Sequence, residues 1–175
     1  FLGAQYAGVL PVPLPLPTSF GGREGYVDQL RNQIKSCGAA GVISPGDMVE
    51  LIHESAENMG LTFAGSDEDF ATVEEAGNAL HQADNGDVSY LQYSSGSTRF
   101  PHGVIVTHRM LMTNCRGQGY HGVQLSDTDR CISWLPFYHD MGLVGCLLTA
   151  LCCQVSCDFL ATESFARRPL LWMQI

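Results

Sequence analysis

Residues 88–108 read VSYLQYSSGSTRFPHGVIVTH. The β-branched and aromatic run Val88–Tyr93 predicts a buried strand, and Val104–Thr107 predicts a second one. Between them stands Ser94-Ser95-Gly96-Ser97-Thr98, five small residues of which four carry hydroxyls. Gly96 and its small neighbours let the backbone approach an anion closely, and successive N–H groups can form a concave nest for phosphate oxygens. The four hydroxyls add donors that rotate to suit a moving phosphate. A polar hairpin loop accounts for the same composition. A Walker A loop is excluded because it needs Gly-Lys-Ser/Thr, and the chain's single lysine, Lys35, lies elsewhere. A hydrolase nucleophile elbow is excluded because Gly-x-Ser-x-Gly is absent.

The composition bounds the function. The chain has 175 residues, 45% hydrophobic and 15% charged, which suits one globular α/β unit with a real core. A net charge of −9 with nine basic residues disfavours nucleic acid and anionic membranes as partners. The acidic clusters Asp67-Glu68-Asp69 and Glu74-Glu75 read as a solvated face. Seven cysteines stand at 37, 115, 131, 146, 152, 153 and 157 with no C-x-x-C pair. They read as buried reduced thiols of a cytoplasmic protein. No signal peptide is visible, and no apolar run reaches the ~20 residues of a membrane span. Both ends fall within apolar, helix-like stretches, FLGAQYAGVL and LLWMQI, so the chain reads as a piece of a longer protein.

Along the chain, Phe1–Val9 reads as the end of a buried helix, and the alternate prolines of 11–17 as an extended segment. Val27, Leu30 and Ile34 share one face of a helix over 24–36. Strands are expected at 40–44 and 61–64, flanking a helix capped by Asp47 with Met48, Leu51, Ile52 and Ala56 inward. The polar residues 65–87 read as a link between two halves, about 1–64 and 88–175. Then come a helix over 108–120 with Met110, Leu111 and Cys115 inward, a turn at 126–129 and a strand over 131–135. An apolar helix over 141–152, a strand over 154–160 and a helical segment from 163 complete the chain. Alternating helices and strands imply an α/β fold, layered αβα around a mainly parallel sheet.

The strand over 131–135 runs into Leu135-Pro136-Phe137-Tyr138-His139-Asp140-Met141-Gly142-Leu143. Proline stops the strand and presents an aromatic, a histidine and an acid at the carboxyl edge of a sheet, where ligands bind in open α/β folds. His139 suits a hydrogen bond to carboxylate or phosphate, or acid–base work; Asp140 suits fixing its tautomer or capping the next helix.

Tyr93–Val104 resembles the phosphate-binding loop of the adenylate-forming enzymes, the superfamily of acyl-CoA synthetases, luciferases and peptide-synthetase adenylation domains. It departs from that pattern at two fixed positions, where Arg99 replaces a glycine and His102 a lysine. LQYSSGSTRFPHGV, Trp134–Leu143 and SFARRPLLWMQI are similar to the fatty acyl-AMP ligase branch. The resemblance implies that the chain is the front part of the N-terminal AMP-binding domain. It implies that Ser94, Ser95, Gly96, Ser97, Thr98, Arg99 and Gly103 bind the phosphates of ATP. It makes His139 the catalytic residue and Trp134, Phe137, Tyr138 and Asp140 the walls of the acyl-adenylate pocket. The implied reaction joins a fatty acid to ATP with Mg2+, giving acyl-adenylate and pyrophosphate, before transfer to an acyl carrier protein. The family's metal, adenine and ribose motifs and its C-terminal lysine lie outside this stretch, so the 175 residues alone are expected to be inactive. An acyl-CoA synthetase, a peptide-synthetase adenylation domain, or a non-catalytic nucleotide- or acyl-binding module stand as alternatives.

Overall fold

The computed structural model describes residues 1–17, 22–75, 77, 79–94 and 102–175. Contacts divide the chain into two compact units. One comprises Leu16–Ala79 and Ser95–Gly103; the other comprises Phe1–Pro15, Leu80–Ser94 and Val104–Ile175. The division differs from the expected halves at 1–64 and 88–175. The N-terminal segment belongs with the later part because it bonds there: Gln5 Nε2 donates to the Ser89 carbonyl and hydroxyl at 3.0 and 2.7 Å. The Leu91 N–H donates to the Pro11 carbonyl at 3.2 Å, and the Phe1 and Tyr90 rings meet edge to face.

In the first of these units, α2 (Gly22–Cys37) packs against α3 (Val49–Ser55), and α3 lies on the strands β1 (Gly41–Ser44) and β2 (Phe63–Ser66). The two strands pair in parallel from Gly41↔Phe63 to Ser44↔Ser66. Val27, Leu30 and Ile34 are buried at the expected helical spacing. Asp47 is not a cap: it lies within a 3₁₀ turn, Gly46–Met48, and α3 starts without a side-chain cap. The expected link 65–87 begins instead with structure. Ser66 and Asp69 form a reciprocal capping box that starts α4 (Asp67–Ala71), so part of the acidic cluster is fixed by hydrogen bonds.

The second unit opens with α1 (Leu2–Tyr6), a five-residue helix with no buried residue rather than the end of a buried one. Strands β3 (Val88–Tyr93) and β4 (Gly103–Thr107) pair with each other. Thr107 caps α5 (His108–Arg116), its hydroxyl accepting from the Met110 N–H at 3.3 Å; the helix continues as π-helical turns through Gly122. Strands β5 (Arg130–Ser133) and β6 (Ser156–Phe159) pair in parallel, in register Arg130↔Ser156 to Ser133↔Phe159. Between them run a π-helical stretch, Met141–Leu148, and α6 (Thr149–Cys153). After β6 come α7 (Thr162–Arg167) and a 3₁₀ turn, Pro169–Met173. Tyr90, Leu111, Cys115, Leu143, Val144 and Leu148 form the core of this unit. Met110 is 59% exposed, not inward. No helix among the described residues is long and apolar enough to cross a membrane.

Candidate active site

Strand β5 ends at Ser133, whose hydroxyl accepts from the Leu135 N–H at 3.1 Å and turns the chain away from the sheet. Pro136 follows, and its carbonyl accepts the His139 N–H at 3.2 Å, closing a tight turn. The His139 carbonyl then accepts from the Leu143 N–H at 2.9 Å, so the imidazole stands where the turn becomes helix. Gly142 makes this junction possible. A Cβ there would lie 2.2 Å from the Pro136 carbonyl oxygen and 2.9 Å from that of Leu135.

His139 and Asp140 form a pair, with Nδ1 2.7 Å from Asp140 Oδ1. The Met141 N–H reaches the same carboxylate oxygen at 2.8 Å and lies 3.3 Å from Nδ1. Two bare acceptors 2.7 Å apart would repel, so the shorter contact assigns a proton to Nδ1 and makes the carboxylate its acceptor. Nε2 is then the atom left for a ligand, as acceptor in the neutral ring and as donor in the imidazolium. The two side chains are 51% and 73% exposed, so the pair orients the ring and adds little to stability.

The other expected residues fall into three groups. Tyr138 is tied to β3, its carbonyl accepting from Gln92 Nε2 at 3.0 Å. That bond brings the His139 turn to within two residues of Ser94, where the hydroxyl-rich run begins. Gly103 opens β4, so the run connects two paired strands. Ser95, Gly96, Ser97, Thr98 and Arg99 lie outside the described residues. Trp134 and Phe137 are engaged by other rings. Trp134 stacks on Phe165 at 3.9 Å between centroids, and Phe137 meets Phe159 edge-on at 4.9 Å. The Thr162 hydroxyl holds the Trp134 carbonyl at 2.8 Å.

Asp140 also lines a cleft of about 530 Å³ with otherwise largely apolar walls, including Tyr90, Ile105, Met110, Met141 and Val144. Burial raises the Tyr90 phenol above its usual pKa, and the Cys115 and Asp140 charges add to that. Sequence reasoning passed over Gln92 and Gly142. A glutamine inside an aromatic strand, and a glycine opening an apolar helix, were the signals for them. Among the described residues no group of three or more His, Cys, Asp or Glu is arranged to hold a metal ion.

Comparison with known proteins fits this arrangement. The family model described as AMP-binding enzyme matches residues 1–175. A Caulobacter vibrioides protein with the provisional name acyl-CoA synthetase is 48% identical over all of this chain and 30% of its own length. The long-chain-fatty-acid–AMP ligase FadD32 of Mycobacterium marinum is 33% identical over 99% of this chain and 27% of its length. A structure from work on the fatty acyl-adenylate ligases of E. coli and L. pneumophila superposes with a TM-score of 0.91 at 44% identity. That match covers 98% of this chain and 31% of the other. The L. pneumophila fatty acyl-adenylate ligase in complex with acyl adenylate and pyrophosphate gives 0.80 at 26%, covering 99% and 29%. The chain thus spans about a third or less of the relatives it matches. With its α/β fold, parallel strand pairs and two sequence motifs, it belongs to the AMP-binding enzyme family and is similar within it to the fatty acyl-AMP ligase branch.

Proposed function

We propose that the protein containing this chain is a fatty acyl-AMP ligase. A carboxylate oxygen of the fatty acid attacks the α-phosphorus of ATP; the bond to the β-phosphate oxygen breaks, and acyl-adenylate and pyrophosphate form. The observation that carries this reading is the superposition at a TM-score of 0.91 on a structure from the fatty acyl-adenylate ligases. In the proposed reaction the hydroxyls and backbone N–H groups of Ser94–Thr98 hold phosphate oxygens, with Arg99 in place of the family's usual glycine. Asp140 keeps the Nδ1 proton of His139 in place, and imidazolium Nε2–H donates to the oxygens where carboxylate and α-phosphate meet. Donors fixed in advance at developing charge supply electrostatic stabilisation without reorganisation during the step. Mg2+, when bound in the whole enzyme, would screen phosphate charge; the described residues offer it no ligand cluster. The acyl group then passes to the phosphopantetheine thiol of an acyl carrier protein in the cytoplasm.

The test is ATP–pyrophosphate exchange by the full-length protein across a fatty acid series, followed by acceptor assays with holo acyl carrier protein and with coenzyme A. His139→Ala, Gly96→Val and Thr98→Ala should each lower exchange while the protein remains folded. Exchange unchanged in all three variants would sink the assignment. The 48% identity to a provisional acyl-CoA synthetase favours a second reading that differs only in the acceptor. Thioester formation on coenzyme A but not on the carrier would select it.

A further inference from the structure

Gln92 stands on β3 between Leu91 and Tyr93, a place where an apolar side chain would cost no desolvation. Its Nε2–H donates to the Tyr138 carbonyl at 3.0 Å across 46 positions of sequence, and its Oε1 is buried without a hydrogen-bond partner among the described residues. That carbonyl belongs to the peptide plane joining Tyr138 to His139. Because the peptide is planar, fixing its C=O fixes the plane that carries the His139 N–H and Cα, from which the imidazole projects. The helix side of the turn is held by its own backbone, through His139 N–H to Pro136 and Leu143 N–H to His139. The described side-chain bond from the strand side is the amide of Gln92. Its bond is a neutral amide–carbonyl one, so its effect is geometric.

We propose that Gln92 is a positioning residue for His139, clamping the turn to β3 so that the imidazole is held in register with the strand that leads into Ser94. The proposal rests on the adenylation role of His139. It is tested in the full-length protein by a cycle of Gln92→Met, His139→Ala and the double variant, read by ATP–pyrophosphate exchange and thermal unfolding. Gln92→Met keeps the length of the side chain and removes the donor. It should lower kcat/KM for the fatty acid roughly ten-fold, the loss that corresponds to one hydrogen bond of about 1.4 kcal/mol. In the His139→Ala background the same change should cost nothing further. An equal loss in both backgrounds would show a merely structural role and overturn the proposal. Full activity in Gln92→Met beside a loss in His139→Ala would overturn it while leaving the function standing. No loss in His139→Ala would remove the catalytic assignment and this inference together. Gln92→Glu adds a pH readout that survives if the methionine variant does not fold. An ionised glutamate repels the Tyr138 carbonyl, and a protonated one can donate to it. Activity relative to wild type should therefore rise as pH is lowered from about 8 to about 6, the range in which a buried glutamate takes up its proton. A flat ratio would overturn the proposal.

Discussion

Substituting Gly142 by alanine tests whether the His139 turn depends on close backbone approach. The added Cβ would sit 2.2 Å from the Pro136 carbonyl oxygen, 2.9 Å from the Pro136 carbonyl carbon and 2.9 Å from the Leu135 oxygen. All three are backbone atoms, so no flexible side chain can swing away. A displacement of about 0.8 Å brings the worst contact only to 3.0 Å, the limit below which real Cβ atoms are essentially not found. Overpacking of this kind costs about 1–3 kcal/mol. The displaced segment carries the His139 N–H bond to Pro136, so the strain moves the imidazole as well. A misplacement near 1 Å can lower turnover about a hundred-fold. Gly145→Ala is the control on the same helix. Its Cβ meets Gln118 Oε1 at 3.6 Å and Met141 Cγ at 3.7 Å, which is ordinary contact. Removing that glycine should stabilise by about 0.5–1 kcal/mol through helix propensity. The assay is urea unfolding of both full-length variants, with exchange measured for Gly142→Ala. Wild-type stability and exchange in Gly142→Ala would refute the close-approach reasoning.

Four further outcomes can be checked. Ser66→Ala should destabilise the protein by about 0.5–2 kcal/mol through loss of the α4 cap. The Ser66 hydroxyl and N–H also hold the Asp69 carboxyl below its usual 3.8, so that stability is present above 3.8 and lost as pH falls through the lower native value. Acid titration of unfolding should accordingly be shallower in the variant. Burial, with the Cys131, Cys146 and Asp158 charges adding to it, pushes the Cys157 thiol up to about 11, so iodoacetamide should label it more slowly in the folded protein than in urea at about pH 8. Its share of stability is complete below 9.0 and is lost as pH rises to about 11; Cys157→Ser should remove that alkaline loss. Arg99→Gly should raise the KM for ATP in the full-length protein, since a charge-assisted bond to phosphate is worth about 1.5–3 kcal/mol; an unchanged KM would mean that the arginine makes no such contact. The 175-residue chain alone, about a third or less of the matched relatives, should give no ATP–pyrophosphate exchange, and exchange at the full-length rate would contradict the proposed division of labour.

Strand positions were legible because short β-rich runs between glycines and polar turns leave little choice. The aromatic, β-branched run Val88–Tyr93 forms a strand with the expected bounds, whereas the less distinctive Phe63–Ser66 begins two residues later than expected. Helix faces were legible only where the spacing was strict. Leu111 and Cys115, four apart, are buried together, while Met110, about 100° away around the helix, is exposed. The two units were not legible, because the bonds from Gln5 to Ser89 and from Leu91 to Pro11 span 84 and 80 positions with no local signature. Of the candidate site, the His139–Asp140 pairing was legible from adjacent residue types; the bond that ties their turn to the strand before Ser94 was not. The parts that hold the turn were not. Gln92 acts through a backbone carbonyl, and Gly142 acts by having no side chain; neither role shows in a pattern of charges or hydrophobicity.

The charge balance explains why so much of this arrangement consists of neutral donors. A net charge of −9 on this chain offers an anionic ligand no long-range attraction, so in the proposed reaction retention of phosphate comes from groups in contact with it. Hydroxyls, backbone N–H groups and a single arginine in the 94–99 run fit that requirement, because their donors act over one hydrogen bond and do not depend on the overall field. Asp140 adds a negative charge to the turn tied to the strand before Ser94, which would oppose an anionic ligand if the carboxylate stood alone. It does not stand alone: it takes the Met141 N–H at 2.8 Å and the Nδ1 proton of His139 at 2.7 Å. Its contact lies on the Nδ1 side of the imidazole, which leaves Nε2 on the opposite side of the ring. In the proposed reaction the pair turns a local acid into support for a donor, held by the uncharged clamp from Gln92 and the backbone approach allowed at Gly142.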